Sequence, residues 1–195
     1  EVLEIGKSDS GFNVKTKKGD YVAKKVIFAA GTERSKLNVK GEAGFLGRGV
    51  SYCATCDAAF FREKTVAVVG GSNAALTAAL LLSEFGSKVY LIYRKDNFFR
   101  AEPAWVELVE KDKKIEVLFN TEIEEIQGDK AVGSVKLKSG KSLDVDGVFI
   151  EIGSEAKTEI LDDLKVKKTP KGYVIVDRDQ KTNVKGFFAA GDITD

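Results

Sequence analysis

An alternation of strands and helices between residues 65 and 119 constrains the fold of this 195-residue chain more than any other feature. The apolar run Thr65–Val69 predicts a buried strand. The Ala- and Leu-rich segment Asn73–Phe85 predicts a helix, which ends before Gly86 because glycine commonly terminates helices. The pattern continues in the order strand 89–93, helix 102–111 and strand 115–119. Strand, helix and strand in this order form right-handed parallel βαβ units, so we expect a Rossmann-like α/β domain.

A repeated pattern of short strands flanks this alternation. Residues 1–31 and 122–153 both contain short strands separated by turns, and each ends in an apolar strand followed by glycine. Glu1–Ile5 aligns with Glu122–Ile126, 121 residues later. We therefore predict two antiparallel β-meanders from a duplication, the second inserted in the Rossmann-like domain. Chance similarity between unrelated meanders is the alternative. After Gly153 we expect a loop, then a strand over Tyr173–Val176 and a further strand over Gly186–Gly191.

The composition argues against several classes of function. Lys and Arg number 31 and Asp and Glu 30, so the net charge of +1 favours neither nucleic acid nor a membrane surface. The longest apolar run, Ala74–Leu82, is too short to span a membrane, and no secretory signal is apparent, so we expect a cytoplasmic protein. The chain has no histidine, so another side chain or a cofactor must carry any proton transfer. It also has no methionine and begins within a predicted strand, which indicates a segment of a longer protein.

The turn between the first strand and helix has the spacing of the dinucleotide-binding fingerprint G-x-G-x-x-G/A. Gly70 allows the tight turn, and Ala75 lets the helix pack closely on the strand. The N–H groups at the helix N-terminus suit a pyrophosphate. Ser72 replaces the second glycine, and its side chain crowds the approach of a phosphate. The candidate nucleotide-binding residues are Gly70, Gly71, Ser72, Asn73, Ala74 and Ala75. A glycine-rich turn without a ligand is the alternative.

A basic segment follows the next strand. An NAD site has an acidic residue about 20 residues after the fingerprint, where it binds the ribose 2′-hydroxyl. This chain has Arg94 and Lys95 there, with Arg100 close behind. Cations at this place suit the 2′-phosphate of NADP, which the two arginines can bind through forked hydrogen bonds. A solvated basic strand end is the alternative.

Cys53 and Cys56 are the only cysteines. Zinc needs about four ligands, so two cysteines without histidine do not predict a zinc site, and we expect no metal. A disulfide across so short a loop would stabilise the fold by only ~2 kcal/mol. A CxxC pair suits reversible redox chemistry, because one thiolate attacks and the other resolves. Asp57 is the nearest proton donor or acceptor. A pair of buried, inert cysteines is the alternative.

Four phenylalanines are expected to pack in the core or at an interface: Phe60, Phe61, Phe98 and Phe99.

Several motifs together resemble the low-molecular-weight thioredoxin reductases over nearly the whole chain. They are the segment Gly47–Asp57, which reads GRGVSYCATCD, the fingerprint that follows it, and the strand ends Ala29–Gly31, Ile152–Gly153 and Phe187–Asp192. The resemblance implies two Rossmann-like domains, one for FAD and one for NADPH. Residues 1–35 and 154–195 are then parts of the FAD-binding domain, and residues 36–153 form the NADPH-binding domain with the redox cysteines.

The resemblance also implies roles for single residues. Cys56 would be the thiol next to the flavin, which forms a charge-transfer complex with it, and Cys53 the thiol that attacks the partner disulfide, with Asp57 as acid and base. Ile152 and Gly153 would contribute to the NADPH site, and Arg94, Lys95 and Arg100 would bind the 2′-phosphate. The residues implied for FAD are Ala30, Gly31, Gly191 and Asp192.

The expected activity is NADPH-dependent, flavin-dependent reduction of a thioredoxin-like protein by a homodimer whose domains rotate. Three departures limit the transfer. The resemblance implies an FAD fingerprint before Glu1 and a further helix after Asp195, and this sequence contains neither. We therefore expect this chain alone not to hold FAD tightly and to be inactive. Ser72, and Ser154 where a histidine is common, leave the nicotinamide preference open. The alternatives are a reductase for a peroxiredoxin or glutaredoxin-like partner, and a non-catalytic module that binds nucleotide or senses dithiols.

Overall fold

The computed structural model describes residues 1–8 and 10–195, which divide into two compact units. Unit 1 comprises Glu1–Arg34 and Ser154–Asp195, and unit 2 comprises Ser35–Gly153. The strands are β1 (Val2–Ser8), β2 (Gly11–Thr16), β3 (Gly19–Ala23), β4 (Val26–Phe28), β5 (Thr32–Arg34), β6 (Val50–Ser51), β7 (Thr65–Val69), β8 (Lys88–Ile92), β9 (Ile115–Leu118), β10 (Ile123–Gly128), β11 (Val132–Leu137), β12 (Ser142–Asp144), β13 (Gly147–Ile150), β14 (Ser154–Ala156) and β15 (Phe187–Ala189). The helices are α1 (Ala54–Asp57), α2 (Asn73–Phe85) and α3 (Pro103–Lys111), and 3₁₀ turns span Ala58–Phe61 and Glu159–Leu161.

Unit 2 is built on a parallel sheet with the spatial order β6-β13-β7-β8-β9. Alternate residues of β7 face opposite sides of this sheet, as the period of a strand requires. Val66 and Val68 pack against the helices, whereas Ala67 and Val69 pack against the meander β10–β12. This arrangement confirms the predicted Rossmann-like domain with an inserted antiparallel meander.

Helix α2 has the bounds that the sequence predicts. Its buried residues Ala75, Ala79 and Leu82 recur at helical spacing and face the sheet. The helix ends at Gly86, but this glycine has an extended backbone (φ −75°, ψ 165°) rather than a left-handed one. Glycine is needed there for space, because a Cβ would lie 2.9 Å from the Lys64 carbonyl oxygen.

The first hairpins of the two meanders, β1–β2 and β10–β11, share the same register over their first four pairs, whereas the second hairpins differ in register by one residue. Ile5 pairs with Val14 in unit 1, and Ile126 pairs with Val135 in unit 2. In both first strands the register shifts between the first and third residues, Val2 and Glu4 in one and Ile123 and Glu125 in the other, and β10–β11 has a second shift near Gly128. The shared register and shared shift at the start of the first hairpins support the predicted duplication, because unrelated meanders need not share them.

Unit 1 combines the meander β1–β3 with two small sheets. Strands β4 and β15 pair in parallel, and β5 and β14 pair in the antiparallel sense. The prediction of a strand over Tyr173–Val176 is wrong: Val174 forms only isolated bridges, to Lys168 and to Thr194. Among its described residues, unit 1 contains the 3₁₀ turn Glu159–Leu161 but no α-helix, so the helices of this α/β chain lie in unit 2.

Within residues 1–8 and 10–195, no helix combines the length and the apolar character that crossing a membrane would require.

Candidate active site

The carboxyl edge of the parallel sheet in unit 2 brings together most of the sequence-predicted site residues. Strand β6 leads into Cys53, β13 into Ile152 and Gly153, β7 into Gly70, and β8 into the basic segment. Neighbouring strands lie about 4.8 Å apart, and one strand, β13, separates β6 from β7. The chain segments that carry the cysteines and the glycine turn therefore leave one edge of one sheet about 10 Å apart.

Cys53 and Cys56 form a disulfide, with their Cα atoms 5.3 Å apart. Helix α1 begins directly after Cys53, whose carbonyl accepts the Cys56 and Asp57 N–H groups at 3.2 Å. Cys53 is half-buried and Cys56 is exposed, so the two are not a buried, inert pair. The Thr55 hydroxyl lies 3.4 Å from the Cys53 sulfur and is the donor, because a disulfide sulfur carries no proton.

Ser51 connects Asp57 to the cysteine loop. Its hydroxyl donates to the Asp57 carboxylate (2.6 Å), and its oxygen accepts the Cys53 N–H (3.0 Å). Ser51 is buried, whereas Asp57 is half-buried. The hydroxyl thus fixes the carboxylate relative to the loop that carries both sulfurs. Sequence reasoning missed Ser51, although its place at the end of β6, two residues before Cys53, is a usable signal.

The buried carboxylate of Glu42 supports the same loop. Glu42 is 4% exposed and accepts hydrogen bonds from the Leu37 N–H (2.9 Å), the Asn38 N–H (2.6 Å) and the Tyr52 hydroxyl (2.6 Å). Burial, and then the hydrogen bond to Glu42, raise the pKa of Tyr52 above its usual value. Tyr52 immediately precedes Cys53, so this network anchors the first residue of the redox loop.

We expect Glu42→Gln to lower the free energy of unfolding by about 2–3 kcal/mol, because an amide group would face a backbone N–H donor in a buried site. Denaturant unfolding followed by the fluorescence of Trp105, the single tryptophan and a residue of unit 2, measures the effect. Glu116→Gln is the matched control, since Glu116 is half-exposed and pairs with Lys88 on the surface, where a loss of about 0.5 kcal/mol is expected. Equal midpoints for the two variants would contradict a supporting role for Glu42.

The glycine turn is closely packed. Gly70 has a φ of +151°, and a Cβ there would lie 2.3 Å from the Glu151 carbonyl oxygen and 2.7 Å from the Ala75 Cβ. A Cβ on Gly71 would lie 2.3 Å from the Tyr93 ring. Ser72 is the N-cap of α2, yet its side chain makes no capping hydrogen bond. The N–H groups at the start of α2 are therefore left without a side-chain cap.

The structure gives the Asn73 side chain a partner in the next helix. Its amide donates to a Glu102 carboxylate oxygen (2.9 Å) and its oxygen accepts the Glu102 N–H (2.8 Å). Glu102 is the N-cap of α3. Asn73 therefore joins the segment between β8 and α3 to the glycine turn. Ala74 is exposed and Ala75 is fully buried.

The predicted phosphate-binding cations lie in this segment, and Arg94, Lys95 and Arg100 are all exposed. Lys95 Nζ is 4.0 Å and Arg100 Cζ is 5.5 Å from the centre of the Phe99 ring. Phe99 itself is 53% exposed. The expectation that all four phenylalanines pack in the core or at an interface fits Phe61, which is buried, but Phe99 lies on the surface beside the cations.

The last predicted nucleotide residues follow β13. Gly153 has a φ of +108°, and its carbonyl accepts the Ser35 N–H at 3.0 Å. Ile152 is 39% exposed. Because Ile152 is partly exposed and Gly153 has a left-handed backbone, accessible surface remains next to the turn at Gly70 and Gly71.

The residues predicted for FAD lie at one end of the β4–β15 pair in unit 1. Because these strands are parallel, Gly31 and Gly191 leave the sheet at the same end. Both have left-handed backbones, φ +68° and +82°, and a Cβ on either would meet no described atom within 4 Å. Ala30 and Asp192 beside them are exposed. This end of the sheet is open to a ligand.

Comparison with known proteins gives one consistent result. The family profile described as pyridine nucleotide-disulphide oxidoreductase matches residues 1–195. The thioredoxin reductase of Treponema pallidum is 44% identical over 99% of this chain and 64% of its own length. The solved thioredoxin reductases of Lactococcus lactis and T. acidophilum superpose on the whole chain with TM-scores of 0.86 and 0.85, at 34% and 39% identity, and the match covers 65% and 66% of those chains. The predicted resemblance is confirmed, and this chain spans less than two thirds of each of these proteins.

Proposed function

This chain belongs to the pyridine nucleotide-disulphide oxidoreductase family, and we propose that it carries the dithiol and the NADPH site of a flavin-dependent reductase for a thioredoxin-like protein. One observation carries the proposal. A disulfide-forming CxxC pair lies at the same sheet edge as the glycine turn and the basic segment. Thioredoxin reductases are the relatives named above, which supports this choice of partner.

The residues present fit a dinucleotide in unit 2. Gly70 brings the turn close to β13, the first N–H groups of α2 are uncapped, and three cations lie beyond β8. A pyrophosphate would bind at the helix N-terminus, and a 2′-phosphate at Arg94, Lys95 and Arg100. Gly31 and Gly191 offer one open edge for FAD in unit 1. When bound, the nicotinamide and the flavin would supply the two electrons that convert the disulfide back to the dithiol.

The dithiol reduces a partner disulfide in two exchanges. The Cys53 thiolate attacks one partner sulfur, the partner S–S bond breaks, and the departing thiolate takes a proton from Asp57. Asp57, now a carboxylate, takes the proton of the Cys56 thiol, and the Cys56 thiolate attacks the Cys53 sulfur. The mixed disulfide breaks, the intramolecular disulfide forms, and the second partner thiolate departs with the proton that Asp57 returns. Two electrons leave this chain and both partner sulfurs become thiols.

Two contacts support this division of roles. The Thr55 hydroxyl donates to the Cys53 sulfur, and a hydrogen bond to a thiolate stabilises it at neutral pH. The Ser51 hydroxyl holds the Asp57 carboxylate in a fixed orientation beside the loop that carries both sulfurs. Cys56 is the more exposed of the two cysteines, and we propose that it is the one that faces the flavin.

The proposal includes a homodimer, as the resemblance implies, and a cytoplasmic location, as the sequence analysis predicts. A peroxiredoxin or glutaredoxin-like partner would use the same exchange chemistry, because the partner is selected by surface complementarity. A non-catalytic module that binds nucleotide or senses dithiols is the candidate of a different class.

Anaerobic titration of the full-length protein tests the proposal. We expect one equivalent of NADPH to bleach the flavin absorbance, and added oxidised thioredoxin to restore it while two thiols appear per thioredoxin. Failure of both NADPH and NADH to bleach a bound flavin would show that the nucleotide assignment is wrong. A full-length protein without flavin would favour the non-catalytic module. Bleaching without recovery would point to a partner other than thioredoxin.

A further inference from the structure

We infer that Phe99 is a positioning residue that holds Lys95 and Arg100 for a phosphate monoester, and so sets the preference for a 2′-phosphorylated dinucleotide. The inference deepens the proposed function and rests on its nucleotide site. It concerns a residue of no obvious chemistry, since a phenylalanine side chain offers neither charge nor hydrogen bonds.

The position of Phe99 needs an explanation because half of this large apolar side chain is exposed, at 53%. Two cationic side chains lie close to its ring, with Lys95 Nζ at 4.0 Å and Arg100 Cζ at 5.5 Å from the ring centre. Both distances fall within the range of about 6 Å in which a cation is attracted to the face of an aromatic ring. One exposed ring therefore contacts two of the three side chains that are predicted to bind the phosphate.

The segment that carries Phe99 is fixed at both ends. On one side, Phe98 stacks on Tyr93 with ring centres 5.7 Å apart, and its ring centre is 4.8 Å from that of Phe119. On the other side, the two hydrogen bonds between Asn73 and Glu102 fasten the start of α3. Phe99 lies between these anchors, so its backbone is held and the ring provides a defined support for the cations.

The same anchors place the cations beside the glycine turn. The Tyr93 ring packs against Gly71, and Asn73 is the first residue of α2. A nucleotide whose pyrophosphate lies at the start of α2 would direct its ribose toward the end of β8. The phosphate that Lys95 and Arg100 can reach is therefore one attached to that ribose.

Gathering the cations matters because long basic side chains lose conformational freedom when they bind. Lys95 and Arg100 also repel each other, and the negative face of the ring offsets this repulsion before any ligand arrives. A ring that holds both side chains in advance reduces the ordering that phosphate binding requires. The effect should appear only for a ligand that carries the extra phosphate.

Calorimetric titration of the full-length protein with NADP⁺ and NAD⁺, which differ only in the 2′-phosphate, tests the inference. We expect Phe99→Leu to weaken NADP⁺ binding about five-fold and to leave NAD⁺ binding unchanged, as loss of one or two surface cation–π contacts predicts. Phe99→Trp should retain the preference, because indole binds cations at least as well. Phe60→Leu is the matched control, since Phe60 is an even more exposed phenylalanine of unit 2, at 74%.

The outcomes separate the inference from the proposed function. Unchanged NADP⁺ affinity in Phe99→Leu, or an equal loss for both dinucleotides, would overturn the role of Phe99 and leave the nucleotide site in place. Loss of the preference in Phe99→Trp would also overturn it, because the aromatic face would then not be the cause. Failure of the full-length wild-type protein to bind either dinucleotide would overturn the nucleotide site of the proposed function and the inference with it.

Discussion

Serine in place of Cys53 or of Cys56 is expected to abolish turnover with a protein disulfide, but the two variants should fail at different steps. Without Cys56 no second thiolate resolves the first exchange, so Cys56→Ser should accumulate a mixed disulfide through Cys53. Cys53→Ser should form little of it, because the attacking thiolate near the Thr55 hydroxyl is missing. Non-reducing electrophoresis of the reduced chain mixed with oxidised thioredoxin, followed by mass spectrometry of the linked peptides, distinguishes the two.

The double variant Cys53→Ser/Cys56→Ser is the control for non-specific disulfides, since these are the only cysteines in the chain. A mixed disulfide that accumulates in Cys53→Ser and not in Cys56→Ser would reverse the proposed roles. Accumulation in neither variant would argue against a thioredoxin-like partner.

The parts of the fold that could be predicted from sequence are those set by local patterns. Thr65–Val69 and Asn73–Phe85 have the predicted bounds because strand and helix periods and the glycine turn all agree there. Tyr173–Val176 has a suitable composition for a strand, but a strand also needs a partner along its length. Val174 finds partners only at single positions, in segments at residues 168 and 194. Pairing of this kind depends on the tertiary fold and leaves no local pattern.

The candidate site likewise has parts that could be predicted from sequence and parts that could not. The CxxC pair and the glycine turn are contiguous motifs, and the alternation of elements predicts that both follow strands of one parallel sheet. The contacts that support them are not contiguous. Glu42 reaches Tyr52 across ten residues, and Asn73 reaches Glu102 across twenty-nine. The exposed ring of Phe99 likewise has no sequence signature that separates it from a core phenylalanine such as Phe61.

Asp57→Asn is expected to slow the reduction of a protein disulfide by about 100-fold, the lower end of what general acid–base catalysis contributes. The amide preserves the shape and can still accept from Ser51, but it neither donates nor accepts the proton of a thiol. Rapid mixing of the pre-reduced chain with oxidised thioredoxin measures the rate of a single exchange. An unchanged rate would show that solvent, and not Asp57, protonates the departing thiolate.

The Ser51 contact makes a second variant informative, because a residue that acts through Asp57 should lose its effect when Asp57 is gone. Ser51→Ala removes the 2.6 Å hydrogen bond to the carboxylate and should slow the exchange by about ten-fold, the cost of a charge-assisted hydrogen bond. In the Asp57→Asn background the same substitution should change the rate less than two-fold, about the error of such cycles. Full additivity of the two effects would instead mean that Ser51 acts on the loop through the Cys53 N–H, which it also binds at 3.0 Å. The cycle therefore decides whether the buried hydroxyl of Ser51 orients the acid or only shapes the turn that carries the sulfurs.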